Sequence, residues 1–448
     1  MPVAVIALFV FLAIIVVWNV VVKRSMAEAM LLGFVATVLF AGLQAPQVAR
    51  DAIVDASSNE VMYAAIAFIF MTYLVERTGT IARLIEILTS LLGGLRGGPA
   101  IVDTVASGAM GAVAGGSNTG NAATSGVITG PWMTRTGWSK ARAATVIAGN
   151  AGLGAALPPS ASMVIMIGFA GSLVTTSSVY LALFVAGIYQ FLIRMVLIAW
   201  FVHRDGIHKV AGEERPAVGP AVRRNWTSML IFLGAVIPVS ITIGPLADFL
   251  AASPLSDAMG SVSLITWIPV LIILISAAVG WRQLPRTARE WWEFFGGAAS
   301  KYYAIGALLF FAIAASEVLA SLGLADDVDA LLGNLDIPVW LLVALVGFFV
   351  VLVAGPLSST ATLSAVGQVS LVTLVAAGVD PLLAVIAILV FASTEGASPP
   401  ASGAIFVASG ITGARPEQTF IPLVMYYVLP FFVLGVLIAV GIVPVPIT

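Results

Sequence analysis

The sequence predicts an all-α polytopic membrane protein built from two inverted-topology repeats. Each repeat carries a re-entrant helical hairpin and a broken transmembrane helix. Composition sets the solvent: apolar residues make up 60% of the 448, charged residues 9%, and mean hydropathy is +1.08. A soluble domain carries about 25% charge. Stretches 3–22, 179–202, 226–249, 261–280 and 420–443 reach the roughly 20 apolar residues that cross a bilayer. The third observation is a gapless internal repeat, 241 residues apart. Gly115-Gly116-Ser117-Asn118-Thr119, Gly126, Gly137, Pro158-Pro159 and Ser162 correspond to Pro356-Leu357-Ser358-Ser359-Thr360, Gly367, Gly378, Pro399-Pro400 and Gly403. Small, polar and helix-breaking residues at matched places inside apolar stretches mark paired broken segments around one binding site.

The positive charges order the spans. Lys23-Arg24, the group Arg77, Arg83 and Arg96, the group Arg135, Lys140 and Arg142, the stretch 204–224, and the stretch 282–301 are short basic clusters. The positive-inside rule places them in the cytoplasm. Residues 302–414 hold no Lys or Arg but include Asp326, Asp327, Asp329 and Asp336, which places 326–336 outside. The N-terminus then starts outside, 3–22 runs in, 27–44 out and 60–76 back, giving N-terminal scaffold helices over 1–76. The first repeat, 77–202, opens with an amphipathic stretch at 80–95 lying along the inner surface. A hairpin over 99–133 returns to its own side, 141–176 crosses outward with a break at Pro158-Pro159, and 179–202 returns. Residues 203–225 are a cytoplasmic linker, and 226–280 forms an out-and-back pair of scaffold helices. The second repeat, 281–448, enters from the opposite face. It has an interfacial helix at 281–301 rich in Trp and Arg, a span at 302–322, a hairpin at 338–377, a helix at 381–413 broken at Pro399-Pro400, and a final span at 420–443.

The chemistry belongs to the hairpin tips and the breaks. A chain that turns inside the membrane leaves helix ends unpaired, each costing several kcal/mol unless something satisfies it. Ser, Thr and Asn side chains satisfy some of them. Hydroxyls and free carbonyls together make hard oxygen ligands suited to Na⁺, while helix N-termini at the turn favour an anion. With each limb about half a span, the tips reach the midplane, and each break faces the tip of its own hairpin. Proline removes backbone donors and disrupts the helix before it, so the carbonyls of 155–157 and 396–398 are expected free. One Na⁺ site per repeat follows. In the first, the candidate ligands are Gly116, Ser117, Asn118, Ala156, Leu157 and Pro158. In the second they are Ser358, Ser359, Glu395, Ala397, Ser398 and Pro399. A small organic acid sits between them, against Ser117, Asn118, Thr119, Asn121, Ser358, Ser359, Thr360 and Thr362. No Lys or Arg stands at either tip, so recognition rests on hydroxyls, amides and helix ends.

Glu395 stands in an otherwise uncharged stretch, where an ionisable group is a functional candidate by default. It suits a cation ligand, a protonatable group, or a residue facing an external vestibule. Glu317 reads as a solvated end residue, Arg194 as a side chain snorkelling to the inner surface, and Gly126, Gly137, Gly149 and Gly152 as close-packing positions. Asn150 joins Asn121 as a side-chain ligand candidate. Net charge −2 speaks against a nucleic acid partner, and the absence of Cys with two His speaks against thiolate or histidine metal sites. An organic cofactor is not expected. An intramembrane enzyme would need paired carboxylates or a nucleophile and base at membrane depth, and no such pair stands out. A channel fits less well than alternating access.

At several of these residues the chain resembles the large membrane subunit of the tripartite ATP-independent periplasmic (TRAP) transporters. The resemblance lies in Gly130-Pro131-Trp132-Met133 through Gly137-Trp138-Ser139, in 154–160, and in 399–413, within a similar layout over roughly 60–448. It implies an elevator-type secondary transporter of the ion-transporter superfamily, driven by Na⁺, in a bacterial or archaeal cytoplasmic membrane. A small four-helix membrane subunit would accompany it, and a periplasmic binding protein would deliver organic acids. The tips Ser117–Asn121 and Ser358–Thr362 and the breaks at Pro158 and Pro399 match that family's ion-site positions. Two departures stand: the second tip reads Leu357-Ser358-Ser359 where the family has an Asp, and Ser117-Asn118-Thr119 is more like the divalent-anion:sodium symporters. A stand-alone Na⁺- or H⁺-coupled symporter or antiporter of the same superfamily is the alternative.

Overall fold

The computed structural model describes residues 3–114, 118–209, 216–254, 263–332 and 337–446. Helix α1 (Val3–Val16) runs on through a π turn to Val21, and α2 (Met26–Leu39) starts where the Ser25 hydroxyl accepts the Glu28 amide. The two pack closely, because a Cβ on Gly33 would lie 2.6 Å from the Phe11 ring. Helix α3 (Ala45–Ser58) occupies a stretch that sequence reasoning leaves as a connection. It meets α4 (Glu60–Arg77) at a 51° bend, with the Asn59 side chain capping the second helix. Its apolar residues are mostly Ala, which gives a helical period but little hydropathy.

Helix α5 (Thr80–Leu92) buries Ile81, Leu84, Ile85 and Ile87 on one face. The first hairpin follows as α6 (Gly98–Ala114) and α7 (Asn118–Arg135); its turn, with Gly116 and Ser117, lies outside the described residues. The limbs are antiparallel, since Thr129 bonds Asp103 while Asn121 bonds Ser107. Each limb is longer than the expected half-span: 17 and 18 residues, about 26 Å at 1.5 Å per residue. Helices α8 (Lys140–Ala151), α9 (Leu153–Ala156) and α10 (Ala161–Ala170) form the broken helix, bent by 43° at the double proline. The 29-residue α11 (Thr176–Arg204) closes the repeat.

The linker is shorter than its sequence suggests. Helix α12 (Val218–Asn225) continues through a 3₁₀ stretch into α13 (Leu233–Thr242), one helix of 25 residues. Pro220 stands in its first turn, where a missing N–H breaks no helical bond. After α14 (Pro245–Ala251), helix α15 (Leu264–Val279) packs on α13, the Ile272 backbone 2.8 Å from a Cβ built on Gly234. Helix α16 (Ala288–Lys301) exposes Trp292.

The second repeat continues with α17 (Ala307–Ser321), α18 (Leu324–Leu332) and α19 (Val339–Ala354). The other hairpin limb is α20 (Ser359–Thr362), running through a π turn into α21 (Gln368–Ala376). Helix α22 (Pro381–Ala392) is buried at every position from Leu382 to Ala392, which matches a sequence apolar all round. A 3₁₀ turn over Ser393–Ala397 and the double proline separate it from α23 (Gly403–Thr412). Helices α24 (Glu417–Leu423) and α25 (Leu429–Ala439) form the last span. By length and composition, four helices among the described residues can cross a membrane, and two bent pairs raise that to six.

Two contacts expose the relation between the halves. Asn118 bonds Ser359, 241 residues on. Gly152 lies so close to Ser393, also 241 residues on, that a Cβ would sit 2.2 Å from the Ser393 carbonyl oxygen. Equivalent residues touch only on a twofold axis, so these pairs mark a pseudo-twofold through the tips and the breaks. The glycine packing reading holds at Gly126, Gly149 and Gly152, whose Cβ positions are filled by Ile147, the Tyr427 ring and Ser393. It fails at Gly137, which has open space and φ +98°, and is required by the turn between α7 and α8. Gly152→Ala is expected to destabilise the protein by at least ~1–3 kcal/mol, because the obstructing atom is backbone. Thermal unfolding of the purified variant checks this; an unchanged midpoint would refute the close crossing.

Candidate cation and substrate site

The tips converge on the second break. Helix α7 starts at Asn118 and α20 at Ser359, with Ser358 capping the latter by accepting the Ala361 amide at 3.3 Å. Asn118 donates from Nδ2 to Ser359 Oγ at 3.1 Å. The single hydrogen of the Ser359 hydroxyl is shared between the Ala392 carbonyl at 3.0 Å and Glu395 Oε2 at 3.4 Å. The Asn118 and Ser402 side chains also face the Glu395 carboxylate. Glu395 is 4% exposed, and among the described residues the ion pairs are Arg142–Asp205, Arg224–Glu86 and Arg289–Glu293, none of which touches it. A buried carboxylate without a basic partner is costly. Asn118 turns its Nδ2 to this cluster, and its Oδ1 is buried with no hydrogen-bond partner. The Glu395 carboxylate and the Ser359 hydroxyl thus stand together, with an unpartnered amide oxygen on the adjoining Asn118, hard oxygen donors of the kind that suit a monovalent cation.

Several sequence candidates take other roles. Asn121 is spent within the fold, its Nδ2 donating to the Ala151 carbonyl at 3.0 Å and the Ser107 carbonyl at 3.4 Å. Thr362 is fully buried, with its hydroxyl unpartnered. Thr119 and Ser358 are exposed and Thr360 half-exposed, Ser358 and Thr360 standing 3.2 Å apart. Thr119 lies under Gly403, and Gly355 lies near the carbonyls of Ser398 and Pro399. Pro400 and Ala401 are exposed as well, so these residues form an exposed surface at the second break. The first break is more enclosed: Ala156 and Pro158 are buried and Leu157 half-buried. It faces its own hairpin at Gly111, whose Cβ would meet Gly154 O at 2.6 Å.

Not all of the break carbonyls are free, contrary to expectation. The Ser160 hydroxyl donates to Ala155 O at 3.2 Å, and the Ser402 hydroxyl to Gly396 O at 3.2 Å. Each serine follows its double proline closely and caps the carbonyl its helix loses. Ala397 and Ser398 are buried and Pro399 half-buried, and the Ser398 hydroxyl donates to Thr394 O at 2.9 Å.

Arg194 does not snorkel. It is 1% exposed, its Nε and Nη2 both 3.1 Å from the Gly149 carbonyl, its Nη1 3.2 Å from Gln190 Oε1, and its guanidinium 4.1 Å above the Phe431 ring. Gln190 Oε1 also accepts from Ser393 at 3.1 Å, so one arginine ties the first broken helix to the second break. Asp103 is the other residue that sequence reasoning passes over. It is fully buried and bonded to Thr129 and Asn150. It is also the single charged residue between Arg96 and Arg135, so the rule that selects Glu395 selects it equally. The core therefore does hold two carboxylates. Among the described residues the two share no hydrogen-bond partner.

This arrangement of hairpins and breaks is matched by a family model spanning residues 5–445, described as Tripartite ATP-independent periplasmic transporter, DctM component. The chain belongs to that family. A curated relative, the uncharacterized protein y4mL of Sinorhizobium fredii, is 27% identical over 282 residues, covering 57% of this chain and 65% of the relative. The chain thus spans about two thirds of that relative's length. Among solved structures, the YdaH transporter of Alcanivorax borkumensis, reported to have an unusual topology, aligns with TM-score 0.66 at 16% identity, over 89% of each chain. MtrF of Neisseria gonorrhoeae, described with a class of antimetabolite efflux pumps, aligns with TM-score 0.64 at 13% identity, over 88% of this chain and 84% of that one. At those identities the likeness is one of fold, and the fold is that of membrane transporters.

Proposed function

We propose that this DctM-family chain is the transport subunit of a Na⁺-driven secondary importer of small organic acids. The observation that carries the reading is the meeting of two tips, Asn118 on Ser359, over the unpaired carboxylate of Glu395. Na⁺ supplies the missing positive charge. The N-termini of α7 and of the helix beginning at Ser359 then favour the substrate carboxylate at the exposed hydroxyls of Thr119, Ser358 and Thr360. Ion and anion stabilise each other across this short distance, which couples their binding. The hairpins and broken helices move as a unit against the scaffold helices, an elevator motion between the two faces of a bacterial or archaeal cytoplasmic membrane. A small four-helix membrane subunit and a periplasmic binding protein complete the system.

Uptake of labelled organic acids into proteoliposomes tests this, with the full chain reconstituted alone and with both partner proteins. An inward Na⁺ gradient is expected to drive accumulation only when the partners are present. Uptake by the chain alone would overturn the tripartite assembly. Uptake indifferent to Na⁺ but following a pH gradient would overturn the Na⁺ assignment.

A further inference from the structure

A cavity of about 290 Å³ lies between α11 and the start of α6, at the base of the first hairpin and away from its tip. That volume is near the lower end for ligand sites, roughly 300–1,000 Å³. Its walls are of two kinds. Met195, Ile198, Ala199 and Val202, spaced as one face of α11, are apolar, as is Ile101 of α6. Arg96 and His203 are the polar lining residues. His203 stands in the last turn of α11, and Arg96 just before α6 begins at Gly98. A Cβ built on Gly97 would lie 2.3 Å from Val202 Cγ2, which sets Arg96 beside the end of α11. The basic residues therefore share one end of the cavity, and the apolar wall runs from there toward Met195.

A third cation joins them. Beyond α11 the chain turns back, and Lys209 forms an isolated antiparallel backbone bridge with Arg96. Residues opposite each other in such a bridge have Cβ atoms about 4.5–5.5 Å apart, and like charges placed so repel. Both are exposed, and neither is in an ion pair among the described residues. The neighbouring basic groups are engaged: Arg142 pairs with Asp205, while Arg204 stacks 5.0 Å over Trp200 and donates to the Tyr426 hydroxyl at 3.4 Å. His203 offers a ring N–H in either charge state. The 17-residue α6 adds the positive end of its dipole. Two adjacent cations, a ring donor and a helix N-terminus call for an anion.

The apolar half of the cavity decides which anion. A soluble ion has no use for a wall of Ile, Met and Val, whereas an acyl chain does. The wall also continues into a surface suited to hydrocarbon, since Val196 is 68% and Trp200 41% exposed on the same helix. Basic clusters of this kind mark the cytoplasmic side of a membrane protein, and basic cavities between helices on that side suit anionic headgroups.

We propose that this cavity binds an anionic phospholipid of the inner leaflet. Its phosphate is held by Arg96, Lys209 and His203, and one acyl chain lies along Ile198, Ala199 and Met195. The site is built from other residues than Asn118, Ser359 and Glu395, and it stands whether or not the transport reading does.

Native mass spectrometry of the full chain, delipidated in detergent and titrated with phosphatidylglycerol or phosphatidylcholine, tests this. One phosphatidylglycerol is expected to stay bound at concentrations where phosphatidylcholine does not. Arg96→Gln should weaken its retention about fivefold, and Arg96→Gln with Lys209→Gln about 25-fold, while Arg135→Gln leaves it unchanged. Ala199→Trp fills the apolar wall and should release the lipid with every cation still in place. Arg96, Lys209 and Ala199 are all exposed, so these variants keep the fold, which their unfolding midpoints verify. Equal retention of the two lipids, or retention unchanged in the double variant, would overturn the proposal. Inorganic phosphate that protects the chain against unfolding as well as phosphatidylglycerol does would assign the cations to a soluble anion. Lipid that stays bound in Ala199→Trp would place the acyl chain elsewhere, and either result is equally fatal.

Discussion

Glu395→Gln is expected to weaken Na⁺ binding by about 10- to 100-fold, the ~1.5–3 kcal/mol that interactions with a charged partner contribute. The same change should stabilise the ion-free protein. Glu395 is 4% exposed and has no basic partner among the described residues, so neutralising it removes the cost of an uncompensated charge. Two effects of opposite sign follow from one substitution. In Na⁺-free buffer the variant should unfold at a higher temperature than the parent. Added Na⁺ should raise the parent's midpoint, by a free energy of about 2.7 kcal/mol at 100 times the parent's Kd, and at that concentration raise the variant's by only about 0.4–1.4 kcal/mol. A variant that responds to Na⁺ as strongly as the parent would remove Glu395 from the ligand set. Asn118→Ala should act in the same direction more weakly, since it deletes the unpartnered amide oxygen but keeps the charge.

Arg194→Ala should cost about 3–5 kcal/mol, the range for emptying a large buried side chain and orphaning its partners. The loss has identifiable parts. The Gly149 carbonyl loses two donors, the Gln190 oxygen loses one, and the space beneath the Phe431 ring empties. Arg194→Lys keeps the charge but lacks the fork that reaches the Gly149 carbonyl and Gln190 together, so it should recover only part of the stability. Unfolding of the purified variants in detergent measures both. A cost below about 1 kcal/mol for Arg194→Ala would show that the guanidinium does not hold the two broken helices together.

The architecture was legible for a physical reason: hydrocarbon tolerates few departures from continuous helix, so each departure carries information. Pro158-Pro159, Pro399-Pro400 and the Ser/Asn/Thr tips are such departures, and the structure brings Asn118 to Ser359 across the twofold they imply. Glu395 stood out because a charge in an apolar run has few benign explanations. Asp103 carried the same signal one hairpin earlier. Arg194 misled because hydropathy gives depth along a span but not the direction a side chain faces; only the neighbouring Gly149 and Phe431 show it points inward. The serines at 160 and 402 look alike in sequence to any other Ser, and their capping of the break carbonyls depends on the fold of the turn.

By itself the sequence determined the membrane solvent, the paired hairpins and broken helices, and the family they belong to, because period, breaks and hydropathy are local properties written along one chain. Tertiary structure alone decided which polar groups are consumed in holding the fold and which keep free lone pairs. Asn121 and Asn118 stand three residues apart with the same amide, yet one is spent on the Ala151 carbonyl and the other, bonded to Ser359, keeps its oxygen unpartnered. Satisfaction of a buried polar atom depends on neighbours distant in sequence, and no local pattern records them.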